Sequence, residues 1–179
     1  MARRAPRTPW QRLAVAFAAV AAALLLAHAA LRWTWHPWLL ASFGGSCVIL
    51  LGMPRGIMAQ PRSFFGGHLL STAVGLLMHD AARWLGGPVE NWAAAAVGAA
   101  LVAMMLTRTI HSPAGANPIV VFAEDAPWSF LLAPLLVGLC ILFAVAMAAN
   151  NLPRPWGAGP WPRFRGRRTR NSGRKPGTA

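Results

Sequence analysis

Histidine, serine, asparagine and arginine are side chains that hold protons or anions, and this chain places several of them inside apolar runs. The densest group is Arg108-Thr109-Ile110-His111-Ser112-Pro113-Ala114-Gly115-Ala116-Asn117-Pro118, which leads into Ile119-Val120-Val121. Arg108 offers a permanent positive charge, His111 a ring that exchanges a proton near neutrality, and Asn117 an amide that can donate. Pro113 and Pro118 keep the backbone from closing into one regular helix, and Gly115 leaves room. A milder interruption, Gly44-Gly45-Ser46, lies in a second apolar run, and His68 stands in a third. A short helix starting inside a bilayer points unpaired N–H groups and a partial positive charge at whatever precedes it. A small anion is the natural occupant of such a place. Gly115-Ala116-Asn117 and Gly44-Gly45-Ser46 are therefore read as helix starts facing an anion path, with Asn117 and Ser46 donating hydrogen bonds to it.

Each residue also has a plainer use. Arginine near a membrane segment snorkels to the interface or pairs with a carboxylate, which competes with an electrostatic role for Arg108. His111 can fix a turn by hydrogen bonding instead of carrying a proton, and His68 can serve helix–helix hydrogen bonding. Asp80, Glu90, Glu124 and Asp125 read as solvated loop charges. Metal chemistry lacks a framework: no His-x-x-x-His or Cys-x-x-Cys spacing occurs among the 5 histidines and 2 cysteines. His68 and His79 share a helix face but stand about 16 Å apart along it. Ser112 beside His111 has no evident orienting acid. No enzyme, metal or cofactor is expected.

The elements that must position these residues follow from composition. The chain is 56% apolar and 12% charged, against about a quarter charged in a soluble domain. Of the formal +13, +12 falls in residues 1–12 and 152–179. This is a small membrane protein with basic ends rather than a nucleic-acid binder. The 9 tryptophans stand at or just beyond the ends of apolar segments, as expected at the membrane–water interface. Cys47 and Cys140 read as buried free thiols.

Leu13–Leu31 is long enough for one crossing, about 28 Å as a helix, and is read as a retained first helix rather than a cleaved signal. Residues 37–51 form a shorter apolar run broken by Ser42, Gly44, Gly45 and Ser46. Phe64–Met78 reads as a short helix whose Gly67, Ser71 and Gly75 make one small-residue stripe for packing. A hydrophilic turn region is expected from Asp80 to Asn91, then an alanine-rich segment from Trp92 to Leu106. A last helix runs from Trp128 to Ala149. Placing Ser42–Leu50 over Ser112–Val120 needs no gap, which suggests a unit of helix, broken short segment and helix used twice. Paired short, broken segments in two halves point to a transporter's binding site.

The fold class is thus an all-α integral membrane protein of four to six membrane segments, two of them short and Gly/Pro-broken, ordered as two inverted repeats of three. Re-entrant short segments give four crossings. The positive-inside rule prefers six, because the arginines at 55, 62 and 108 then share the side of both tails. Either layout puts both termini in the cytoplasm of a cell inner membrane. Residues 1–12 form a basic tail, 13–152 the membrane domain, and 153–179 a disordered basic tail; both tails meet anionic headgroups. A homo-oligomer is expected, because so short a bundle leaves little internal room for a pore.

Four blocks resemble the HPP family of integral membrane proteins: Gln60-Pro61-Arg62, Gly66-Gly67-His68-Leu69-Leu70, Leu106 to Ala116, and Asn150-Asn151-Leu152. The resemblance covers His36 to Leu152. The family's name comes from His-Pro-Pro; here the motif reads His111-Ser112-Pro113, so nothing can rest on a rigid Pro-Pro turn. Members from chloroplasts and cyanobacteria are described as nitrite transporters, and the family is drawn with four spanning helices. The resemblance implies transport of nitrite or a similar small anion. The alternative is a non-transporting membrane scaffold or assembly subunit, in which Arg108, Gly115 and Asn117 matter for folding only.

Overall fold

A computed structural model describes residues 9–32, 39–153, 157 and 159–162. Most of both basic tails, with their expected headgroup contacts, and the link at 33–38 lie outside the described residues. The described residues are helical, without strands: α1 (Trp10–Leu31), α2 (Leu39–Cys47, continued by a wide turn to Gly52), α3 (Pro61–Leu85), α4 (Val89–Thr107), α5 (Asn117–Ala123) and α6 (Val137–Asn150). Three helices are long and apolar enough to cross a membrane: Trp10–Leu31, Val89–Thr107 and Trp128–Asn150. The chain is an all-α membrane protein.

α1 buries Ala19, Ala23, Ala27 and Leu31, one per turn, and lays this small-residue stripe against α6. Close backbone approach is what small residues contribute where the solvent is itself apolar. Phe17, Leu25 and Leu26 on the other faces are exposed, as suits a lipid-facing surface. Leu31 and Phe43 both meet α6 at Gly138. α1 and α6 are therefore antiparallel, and Trp10 lies at the same end of the bundle as Asn150.

α3 differs from the sequence expectation. The helix does not stop near Met78 but runs 25 residues to Leu85, through Asp80 and Arg83. Polar side chains end a hydropathy window without ending a helix. Here they stand at the exposed end, and Asp80 accepts a hydrogen bond from Trp128 Nε1 at 2.9 Å. The turn is confined to Gly86-Gly87-Pro88, where Gly86 and Gly87 take φ values of 73° and 102°, open mainly to glycine. α4 likewise begins earlier than expected, at Val89.

The small-residue stripe of α3 packs against the broken stretch itself. A Cβ on Gly67 would stand 2.7 Å from His111 Cβ, and one on Gly75 would stand 2.9 Å from Pro118 Cα. Between them Ser71 Oγ donates to the Ala114 carbonyl at 2.7 Å. Thr109 lies against Gly66, and Asp125 reaches His79 at 3.0 Å. The register advances in the same direction along both elements, over about 20 Å of α3. The stretch runs through the bundle and does not turn back. Short as it is, it crosses because a 3-10 turn over Ser112–Ala116, with more rise per residue than an α-helix, precedes α5. Six passes result among the described residues, long–short–long twice over.

Trp161 departs from the interface reading. It is 4% exposed and lies on Phe143 with ring centroids 5.0 Å apart. Asn151 holds it there, accepting from the Trp161 amide and donating to its carbonyl. The other described tryptophans stand at helix ends: Trp10 and Trp84 are exposed, and Trp92 donates to the Gly86 carbonyl at 2.9 Å. Cys47 is buried and Cys140 exposed, both as free thiols, so only Cys47 matches the expected burial.

Candidate functional site

Four of the residues singled out by sequence meet in one place. α2 contributes Ser46, α3 contributes His68, and the broken stretch contributes His111 and Asn117, each with no measurable exposure. Ser46 Oγ is the hub, 2.9 Å from His68 Nε2 and 3.0 Å from His111 Nε2. The two rings stand 4.9 Å apart, centroid to centroid, and Phe64 closes over both, edge-on at 5.4 Å to each. α2 runs antiparallel to the stretch: Ser46 meets His111, Gly45 meets Pro113, and Ser42 meets Asn117.

The outer partners fix the proton positions. His111 Nδ1 lies 2.9 Å from the Met58 carbonyl, which only accepts, so Nδ1 carries the hydrogen and Nε2 is an acceptor. Asn117 Nδ2 is identified by its own neighbours: it donates one hydrogen to Thr72 Oγ1 at 2.8 Å, and the His68 carbonyl, an acceptor only, lies 3.3 Å away. The same nitrogen donates to His68 Nδ1 at 3.0 Å, which places the His68 hydrogen on Nε2, aimed at Ser46. Ser42 Oγ donates to Asn117 Oδ1 at 2.7 Å and also lies 3.1 Å from the Pro113 carbonyl. Every polar atom is partnered with both rings neutral, as burial in a low-dielectric bundle requires.

The remaining predicted residues are placed differently. Gly44-Gly45-Ser46 is not a helix start: α2 begins at Leu39 and these residues lie inside it. Membrane helices tolerate glycine better than soluble ones because neighbouring elements pack on the bared backbone. Pro113 supplies that packing, its ring 3.2 Å from where a Gly45 Cβ would be. Gly115-Ala116-Asn117 does open a helix, α5 at Asn117, but the Asn117 backbone amide is already spent on the Ala114 carbonyl. Asn117 and Ser46 spend their donors within the cluster. Gly44 and Gly115 are half-buried, and a Cβ on either would meet nothing within 4 Å. Arg108 stays outside the cluster. It is exposed and ends α4 in the left-handed conformation, φ 56°. Ser112, in the varied motif position, is exposed at the first residue of its turn.

Sequence reasoning missed Ser42, Thr72 and the Met58 carbonyl. The signal was present for two of them: Ser42/Ser46 and His68/Thr72 are i, i+4 pairs, which share a helix face. A second polar group sits at the other end of α3. Asp125 Oδ1 lies 3.0 Å from His79 Nε2 and 3.6 Å from Arg83. Asp80 and Asp125 are exposed or nearly so, as expected, but are paired. Among the described residues no group of three metal-ligating side chains comes together.

Residues 5–157 match the HPP transmembrane region. The chain belongs to this family. Two transmembrane proteins of Dictyostelium discoideum are 33% and 32% identical to it over 120 and 121 residues, each match covering 65% of this chain. The matches cover 42% and 39% of those relatives, so this HPP chain spans about two-fifths of their length. No solved structure matches it.

Proposed function

We propose that this HPP protein passes a small inorganic anion, nitrite by family resemblance, across a cell inner membrane, without enzymatic chemistry. The observation that carries the reading is the buried polar line Ser42–Asn117–His68–Ser46–His111, drawn from three elements of an otherwise apolar bundle. Polar and ionisable groups are costly inside a membrane and by default mark a transport path. Arg55, Arg62 and Arg108 are exposed at the end of the bundle where His111 meets Met58. A positive rim concentrates anions there. That end also holds Trp10 and Asn150, the residues from which the two basic tails depart; placed in the cytoplasm, where anionic headgroups attract basic segments, the layout obeys the positive-inside rule. Association into a homo-oligomer belongs to the same proposal.

One observation favours a second reading. The cluster's donors are all satisfied internally, as a purely structural core would have them, which is what a non-transporting scaffold or assembly subunit requires. Nitrite uptake into proteoliposomes separates the two, with Arg108→Ala and Asn117→Ala checked for folding by monodisperse purification. Uptake by wild type, lost in folded variants, supports the path. No uptake of nitrite, nitrate, formate or bicarbonate by folded wild type supports the scaffold.

A further inference from the structure

The Ser46 hydroxyl has one more acceptor than it can use. Its single hydrogen can point at His111 Nε2, 3.0 Å away, or at the Ser42 carbonyl, 2.8 Å away. With both rings neutral, His68 Nε2–H donates to Ser46 Oγ, and Ser46 donates to His111 Nε2. If a proton arrives at His111 Nε2, a new N–H bond forms there and donates to Ser46 Oγ. The Ser46 hydrogen then rotates to the Ser42 carbonyl, and the hydroxyl oxygen accepts from both rings. No hydrogen bond is lost and no heavy atom has to move. The cluster is built with two complete hydrogen-bonding states that differ by one proton.

Among the described residues the charge of the second state has no carboxylate beside it. The chain's four acids are Asp80, Glu90, Glu124 and Asp125, and none is near the pair. Asp80 stands about 18 Å along α3 from His68, Asp125 is bound to His79, Glu124 adjoins it, and Glu90 opens α4 at that same far end. The ionisable groups that elements around the pair supply are the two histidines themselves, Cys47 on α2, Cys140 on α6, and the cations Arg55, Arg62 and Arg108. A proton at His111 therefore creates a buried positive charge that no described side chain neutralises and that a small anion from outside would.

We propose that the Ser46–His68–His111 cluster is a one-proton site, and that the protein binds and carries a proton and a small monovalent anion together as a neutral pair. This rests on the anion-transport reading and deepens it by naming the coupling ion. Neutral loading avoids moving net charge through the low-dielectric bundle. By linkage, each ligand strengthens the binding of the other.

Two measurements test this separately from transport as such. In nanodiscs, full-length protein labelled with 15N-histidine should show His111 hydrogen-bonded through Nδ1–H and His68 through Nε2–H near neutral pH. Acidification should convert one ring of the pair to the doubly protonated form, and nitrite added at fixed pH should raise that protonated fraction. In proteoliposomes, a pH gradient should drive nitrite uptake with protons entering in equal amount, while an imposed membrane potential leaves the rate unchanged. His111→Gln, folded, should lose the proton flux. Both rings staying neutral at every pH the fold survives, or a protonated fraction indifferent to nitrite, would overturn the proton site whether or not uptake occurs. Uptake driven by potential without protons would overturn the coupling and leave anion transport standing.

Discussion

The two ends of α3 hold histidines in opposite circumstances. His68 is fully buried among Ser46, His111 and Asn117, with no carboxylate in reach. His79, eleven residues further along, is buried against Phe122 but bonded to Asp125, whose side chain is 75% exposed. The same residue type on the same helix thus serves a closed network at one end and a contact with an exposed carboxylate at the other. Desolvation without a counter-charge makes the first expensive to build and expensive to disturb. Water screens the second. If function resides in the bundle, it should follow the first group and be indifferent to the second.

The largest expected effect comes from Asn117→Leu. It strips the partners of Thr72 and His68 Nδ1 at once and leaves Ser42 only the Pro113 carbonyl, at a cost of about 2–3 kcal/mol for buried groups left unsatisfied. A lower unfolding midpoint in denaturant titration of the reconstituted protein checks it. Gly67→Ala comes next. Its Cβ would lie 2.8 Å from the Thr109 carbonyl oxygen as well as against His111, and backbone cannot yield as a side-chain tip can. Overpacking of about 1–3 kcal/mol follows, again read as a shifted midpoint. Gly98→Ala, where nothing lies within 4 Å, is the matched control and should leave the midpoint at or above wild type.

Asp125→Asn, at the exposed end, should cost less than about 1 kcal/mol and leave anion uptake unchanged. A loss of uptake there would break the contrast between the two ends. Arg108→Gly has the smallest expected effect on folding, because glycine takes the left-handed backbone at α4's end without strain. Wild-type stability with reduced uptake in that variant assigns Arg108 an electrostatic role. Wild-type uptake leaves it only the helix-ending one.

Much of the fold was legible in the sequence because membrane helices announce themselves by hydropathy and the broken stretch by its prolines and polar residues. The stripe Gly67–Ser71–Gly75 correctly announced close packing, though not that Pro118 and His111 would be its partners. The extent of α3 was not legible. Asp80 and Arg83 read as loop because hydropathy averages over a window, whereas an exposed helix end tolerates charge. The helix start assigned to Gly44-Gly45-Ser46 failed for a related reason: glycine breaks helices in water, but here Pro113 packs over Gly45 inside α2, whereas α5 does begin at Asn117. The meeting of Ser46, His68, His111 and Asn117 needed three elements brought side by side, which spacing along the chain does not encode. Trp161 was misplaced because a tryptophan next to Pro and Arg looks interfacial until Asn151 and Phe143 are seen to hold it.

Whether the buried cluster or the Asp125 group at the far end of α3 carries the function is decided by comparing one residue that meets each end of that helix. Nitrite uptake by Ser46→Ala, measured beside Asp125→Asn in proteoliposomes of equal protein content, makes that comparison. Both variants must first match wild type in monodispersity. A functional cluster requires that Ser46→Ala lose uptake while Asp125→Asn keeps it. Uptake at the wild-type rate in folded Ser46→Ala would contradict that role and leave the cluster a structural core.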